Sequence, residues 1–113
     1  MHELSLATEV IELVQREATK NNVSSILEIQ IEVGYLSGVE ADAFQSALEL
    51  IVKDTILENT ALHIIRTTGK GRCNSCNVEF EMKNRLDVCP ECHRYPSMIM
   101  DGEEFRVVSI LVE

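Results

Sequence analysis

The chain predicts an α+β fold, a small sheet of about three strands with two helices, interrupted by an inserted lobe. Three observations carry this. In two segments apolar residues recur at three- and four-residue steps, the period of a half-buried helix. In two others they alternate with polar residues, the period of a strand with one covered face, and the closing segment is rich in β-branched residues and reads as a third strand. Between the second and third of those strands stand all four cysteines, Cys73, Cys76, Cys89 and Cys92, as two Cys-x-x-Cys pairs twelve residues apart.

The first helix begins almost at residue 1. Leu6, Val10, Leu13 and Val14, with Leu4, Ala7, Ile11 and Ala18, form one stripe, while Glu9, Glu12, Arg16 and Lys20 fall mostly opposite. Asn21 and Asn22 offer a stop. Leu27, Ile29, Ile31 and Val33 then point one way and Glu28, Gln30 and Glu32 the other, which predicts a strand ending at Gly34. Val39, Phe44, Ala47, Leu48 and Ile51 restore helical spacing over about residues 40–53, with Glu40 and Asp42 in the first turn, where the positive helix end favours acids. Leu62, Ile64 and Arg66 alternate in a second strand, and Gly69 with Gly71 reads as a hinge into the lobe. A short strand, Val78 to Met82, separates the cysteine pairs. The chain closes in a β-branched strand from about Phe105 to Val112. The expected division is a body of residues 1–68 and 99–113 and a lobe of residues 69–98.

Two residues between cysteines let a tight turn aim both sulfurs at one ion, and two such knuckles complete a tetrahedron of thiolates. Pro90 in the second knuckle fits the turn. The pattern is that of a zinc-ribbon-like lobe with structural zinc on Cys73, Cys76, Cys89 and Cys92; iron held by four cysteines shares the spacing. Disulfides fit less well, because nothing at the amino terminus resembles a signal peptide and reducing compartments keep thiols free. Four thiolates leave no open position on the ion, which argues for structure and against catalysis. So short a lobe cannot bury enough apolar surface to fold alone, and metal supplies the deficit.

Composition narrows the function. The 113 residues carry a net charge of −9. Residues 1–69 hold eleven acids against four bases, whereas residues 70–94 hold four against five. Since nucleic-acid affinity rests on Lys and Arg meeting phosphates, an acidic body argues against a nucleic-acid partner. Lys70, Arg72, Lys83, Arg85 and Arg94 instead read as offsetting the negative charge of four thiolates. No apolar run approaches the ~18 residues of a membrane span, so a cytoplasmic protein without a membrane partner is expected. Neither a Ser, His and Asp set nor a phosphate loop is evident, which argues against an enzyme.

Met1, His2 and Glu3 are the second place with metal chemistry. A free α-amine, the deprotonated amide of His2 and its Nδ1 close five- and six-membered chelate rings, and the Glu3 amide or a nearby carboxylate completes a plane. Such nitrogen-rich planar donors select Ni(II) or Cu(II) over zinc. A solvated histidine is the alternative at position 2.

The opening Met1-His2-Glu3-Leu4-Ser5-Leu6, the segment Val33-Gly34-Tyr35-Leu36-Ser37-Gly38-Val39-Glu40, the paired knuckles and the closing strand from Gly102 to Glu113 together resemble the HypA/HybF family. The resemblance implies a nickel metallochaperone of NiFe-hydrogenase maturation, with Ni2+ as transferred cargo and Zn2+ as structural cofactor. It puts the nickel ligands on the amine and backbone of Met1 and His2, the His2 side chain and the backbone of Glu3. Glu40 is a secondary candidate, with an ordinary helix-start role as the other reading. It puts the zinc ligands on Cys73, Cys76, Cys89 and Cys92. His93 either replaces a thiolate in some states or is a solvated surface residue, and His63 reads as a non-ligand. The implied partners are a HypB-type GTPase and the NiFe-hydrogenase large subunit, with the chain a monomer or weak homodimer. The rival reading is a zinc-stabilised protein-interaction adaptor without nickel transfer.

Overall fold

The computed structural model describes residues 2–113. Helix α1 spans His2–Lys20, strand β1 Ile26–Gly34, helix α2 Ala41–Ile51, and strands β2 to β6 span Ala61–Thr67, Gly69–Cys73, Val78–Met82, Met98–Asp101 and Phe105–Val112. The strands form two three-stranded sheets, ordered β2-β1-β6 and β4-β3-β5. The chain divides into two compact units. One comprises the residues through Ile31, Glu40–Ile64 and Val107–Glu113; the other comprises Glu32–Val39 and Ile65–Arg106.

In the first unit α1 packs on α2. The α1 stripe buries Ala7, Val10, Ile11, Val14 and Ala18, and α2 buries Ala41, Phe44 and Leu48. Ile26, Ile29 and Ile31 of β1 and the loop residue Leu57 complete this aliphatic core. Leu4 and Leu13, expected in the stripe, are exposed, because burial is confined to the narrower face that steps by three, one, three and four residues. Helix α1 ends in a Schellman arrangement. Asn22 adopts a left-handed φ of 56°, its N–H reaches the Thr19 carbonyl at 3.2 Å, and the Val23 N–H reaches the Ala18 carbonyl at 2.8 Å. Asparagine tolerates that conformation, so the stop lies where the sequence offered it.

Strand β1 departs from strict alternation at its start. Ile26 is buried and Leu27 is 46% exposed, whereas Ile29, Ile31 and Val33 are fully covered. The polar face is only half wet: the His63 Nε2 lies 3.1 Å from Glu28 Oε1 in the first unit.

In the second unit, Glu32 accepts from the Thr67 hydroxyl and, at 2.7 Å, from Arg106 Nε. Chain crossings here are backbone against backbone. The Gly34 N–H donates to the Glu104 carbonyl and the Leu36 N–H to the Gly102 carbonyl, both at 2.8 Å. A Cβ on Gly34 would lie 2.0 Å from the Gly102 oxygen. Gly69 and Gly71 do not form the expected hinge. Both are buried in β3, paired with Met82 and Phe80 of β4, and a Cβ on Gly69 would lie 2.5 Å from Leu36 Cδ1. They are glycines because neighbours come too close for a side chain.

Gly34→Ala is therefore expected to destabilise the protein by at least about 1–3 kcal/mol through overpacking against a rigid carbonyl, and Phe44→Ala by about 3–5 kcal/mol through a core cavity, both read from urea unfolding. A second expectation concerns acid. The Thr67 hydroxyl, then Arg106, hold the Glu32 carboxyl below its usual value. Stabilisation from a depressed carboxyl is complete above the ordinary carboxylate pKa and fades as pH falls through the folded one. Glu32→Gln should lower stability at neutral pH and flatten the acid limb of stability against pH.

Candidate metal centres

The two knuckles are built alike. In each, the residue after the second cysteine takes a left-handed φ, 57° at Asn77 and 62° at His93. Asn and His are among the side chains enriched there, which accounts for His93 as a turn residue. Its N–H donates to the Cys89 carbonyl at 2.9 Å and its side chain is exposed. The first knuckle is braced by Arg72, whose guanidinium donates to Asn74 Oδ1 at 3.2 Å and to Asn77 Oδ1, and by Ser97, whose hydroxyl accepts from the Asn74 N–H at 3.0 Å. Ahead of the second, the Asp87 carboxylate accepts from the Lys83 N–H at 2.7 Å, and Asn84 Oδ1 accepts from the Leu86 N–H at 2.8 Å. These turns use Asn and Asp side chains in place of backbone acceptors.

The consequence is convergence. The sulfurs of Cys73, Cys76, Cys89 and Cys92 all lie within 4.8 Å of one another, and Cys73 and Cys92 are 3.6 Å apart. A tetrahedron with zinc–sulfur bonds of about 2.3 Å has edges of about 3.8 Å, so the set fits one four-coordinate ion. Two sulfurs belong to buried residues and two to half-buried ones. Backbone N–H groups of Cys92 and Glu91 draw the Cys89 thiol down to about 7. Hydrogen bonding with Cys92, together with desolvation, pushes Cys76 up to about 12. Cys89 is thus readier than Cys76 to meet an ion as thiolate, and Cys76 would give up its proton to a bound metal. The tetrad has the donor chemistry and spacing to hold a metal such as zinc.

Of the bases around the knuckles, Lys70, Arg72 and Arg85 have local partners. Lys70 lies 3.8 Å from Glu79, and Arg85 donates to Glu103 and to the Leu36 carbonyl, each at 2.7 Å.

At the other end of the sequence, Met1 lies outside the described residues. His2 opens α1 with its side chain 60% exposed and Nδ1 4.0 Å from Glu3 Oε2. Glu3 Oε2 accepts the Glu40 N–H at 3.2 Å, and that hydrogen bond leads the causes holding the Glu3 carboxyl below its usual value. Glu40 caps α2, its Oε1 accepting the Asp42 N–H at 3.1 Å. Residues 37 positions apart in sequence therefore meet where the two helices begin. Sequence patterning gave no sign of the bond between Glu3 and Glu40. His63 faces Glu28 instead.

Fold and sulfur tetrad together define a small α+β protein with a four-cysteine cluster able to hold a metal ion. A family model described as "Hydrogenase/urease nickel incorporation, metallochaperone, hypA" matches residues 1–112. Hydrogenase maturation factor HypA of Geobacter metallireducens is 39% identical over 113 residues, covering 100% of both chains. That of Parabacteroides distasonis is 36% identical, covering 100% of this chain and 98% of its own. The solution structure of the Ni metallochaperone HypA from Helicobacter pylori matches with a TM-score of 0.67 at 26% identity, over 99% of this chain and 97% of that one. The chain belongs to the HypA family of nickel-incorporating metallochaperones, non-enzymatic factors of hydrogenase maturation. Among the described residues, no helix is long and apolar enough to cross a membrane.

Cys89→Ser is expected to abolish the one equivalent of metal bound at the tetrad, measured by elemental analysis, and to unfold the β4-β3-β5 sheet while helical circular dichroism persists. Retained metal would place it elsewhere.

Proposed function

We propose that this chain captures Ni(II) at its amino terminus and hands it to the large subunit of a NiFe-hydrogenase in the cytoplasm, working with a HypB-type GTPase. The nickel ligands are the amine and backbone of Met1 and His2, the His2 imidazole and the backbone of Glu3, with Glu40 adjoining. In the same reading Cys73, Cys76, Cys89 and Cys92 hold structural zinc. The body of residues 1–68 and 99–113 carries the cargo, and the lobe of residues 69–98 offers a fixed surface to partners. The observation that carries this reading is the family match, which runs through the Met1-His2-Glu3 opening to residue 112.

Physical features support it. The first N–H groups of a helix have no intrahelical acceptor, so ionising an amide at residue 2 or 3 breaks no helical hydrogen bond. The positive end of a helix disfavours a bare cation but favours anionic donors, which ionised amides supply. Glu3 has its carboxylate engaged by the Glu40 N–H and is left to contribute through its backbone. Glu40 would have to release its cap on Asp42 to reach an ion, making it a reluctant ligand. A site of this kind is open to ligand exchange, as a cargo site must be.

His2→Ala is expected to abolish nickel uptake in calorimetric titration of the untagged protein while leaving the fold and the tetrad metal unchanged. One residue added before Met1 should weaken uptake sharply. Affinity should rise with pH through about 8, where the α-amine loses its proton. Stoichiometric nickel in the histidine variant would sink the assignment and favour the adaptor reading of the amino terminus.

A further inference from the structure

Strand β6 lies at one end of the β2-β1-β6 sheet, and among the described residues no strand pairs with its outer edge. From Val107 to Val112 it carries no charged residue and no proline. Val108, Leu111 and Val112 are 41%, 54% and 40% exposed. Protein edges are commonly blunted by lysine, proline or a cover, because unpaired N–H and C=O groups recruit further strands; these six residues have neither lysine nor proline. Two cavities flank them. One, of about 380 Å3, is bounded by Ala18, Val23, Ile26, Ile110 and Val112. The other, of about 360 Å3, is bounded by Leu13, Val107, Val108 and Ile110. Glu17 lines both, and all these residues lie in the first unit.

We propose that this edge docks an extended segment of a partner protein as an added strand, with alternate apolar side chains entering the two cavities and a basic side chain meeting Glu17. The backbone requirement comes from the edge itself, which offers about 20 Å of strand over six residues. Ile110 is shared by the cavities, which suits side chains two residues apart, about 7 Å along one strand. Charge selects the partner. A chain of net charge −9, with Glu17 at the groove and Glu113 at the strand's end, attracts a basic segment and repels a second copy of itself. The inference rests on β6 and the first-unit residues beside it and stands or falls separately from the nickel site.

The test uses the intact chain and a fluorophore-tagged peptide of about eight residues, typical strand length, alternating valine with lysine and threonine; a matched peptide carries glutamate for lysine. Saturable binding of the lysine peptide is expected, with slowed hydrogen exchange at alternate amides of residues 107–112 and NMR shifts at Glu17 and Ile110. Glu17→Lys should weaken that peptide by roughly fivefold and favour the glutamate peptide instead. The substitution spares the end of α1, because Asn21 bonds the Glu17 backbone carbonyl and not its side chain. No binding at millimolar peptide, shifts confined to other residues, or equal binding of both peptides would overturn the proposal. A concentration-dependent dimer protecting the same amides would give the edge to a second copy and overturn the choice of partner.

Discussion

The meeting of four sulfurs within 4.8 Å is the constraint on which the second unit depends. A segment of this size cannot bury enough apolar surface to order itself, and the buried residues of its sheet are few: Gly69, Gly71, Cys73 and Met82, with Cys89 beyond it. Everything around the tetrad serves to bring sulfur to sulfur. The left-handed residues Asn77 and His93 turn each knuckle, Arg72 and Ser97 tie the first one, and Asp87 and Asn84 shape the approach to the second. The glycines extend the same economy, since at Gly69 and Gly71 packing is achieved by removing side chains.

Much of this was legible in advance, and the failures share a cause. Both helices and strands β1, β2 and β4 announced themselves through a period in the sequence, and β6 through its β-branched content. Strands β3 and β5 did not. Three of the five residues of Gly69-Lys70-Gly71-Arg72-Cys73 are glycine or cysteine, and its register is set by pairing with Glu79, Phe80 and Glu81 on one side and Met98 to Asp101 on the other. Its glycines therefore read as a hinge when they are close contacts. The tetrad was legible because spacing alone brings ligands together locally. The bond between Glu3 and Glu40 was not, since it depends on how α1 and α2 pack, and no local pattern records that. His93 shows an intermediate case: adjacency to Cys92 made it a conceivable ligand, and its positive φ explains the residue as a turn former.

The two metal centres, taken as proposed, differ in ways that follow from their donors. Four side-chain thiolates drawn from two separate knuckles form a closed shell, and losing the ion means losing the fold around it. Donors taken from one chain end are different. An amine, ionised amides and an imidazole on residues 1 to 3 surround an ion without closing a core around it, so its departure leaves α1 and α2 packed as before. Thermodynamic linkage makes the first ion part of folding stability, whereas the second is linked only to local protonation. Structural and transferable metal can thus coexist in one short chain without exchanging places. The donors differ too, soft tetrahedral sulfur against planar nitrogen, so selectivity does not depend on affinity order alone.

Electrostatics adds a further separation. Surplus acid is concentrated in residues 1–69, while the cysteine-bearing segment of residues 70–94 is near balance. A field of that sign raises the local concentration of a divalent cation over the first unit. It does not by itself hold the ion, because exposed carboxylates in water at physiological salt act over about a Debye length of 8 Å and bind weakly. The carboxylates of Glu3 and Glu40 are also committed, Glu3 to the Glu40 amide and Glu40 to the start of α2. In the proposed reading, attraction and ligation are therefore divided: acidic side chains gather the cation, and the nitrogen donors of the terminus decide which cation stays. Such a division would keep the proposed site weak toward ions that prefer oxygen, and would leave nickel held by groups that a competing set of ligands can replace one at a time.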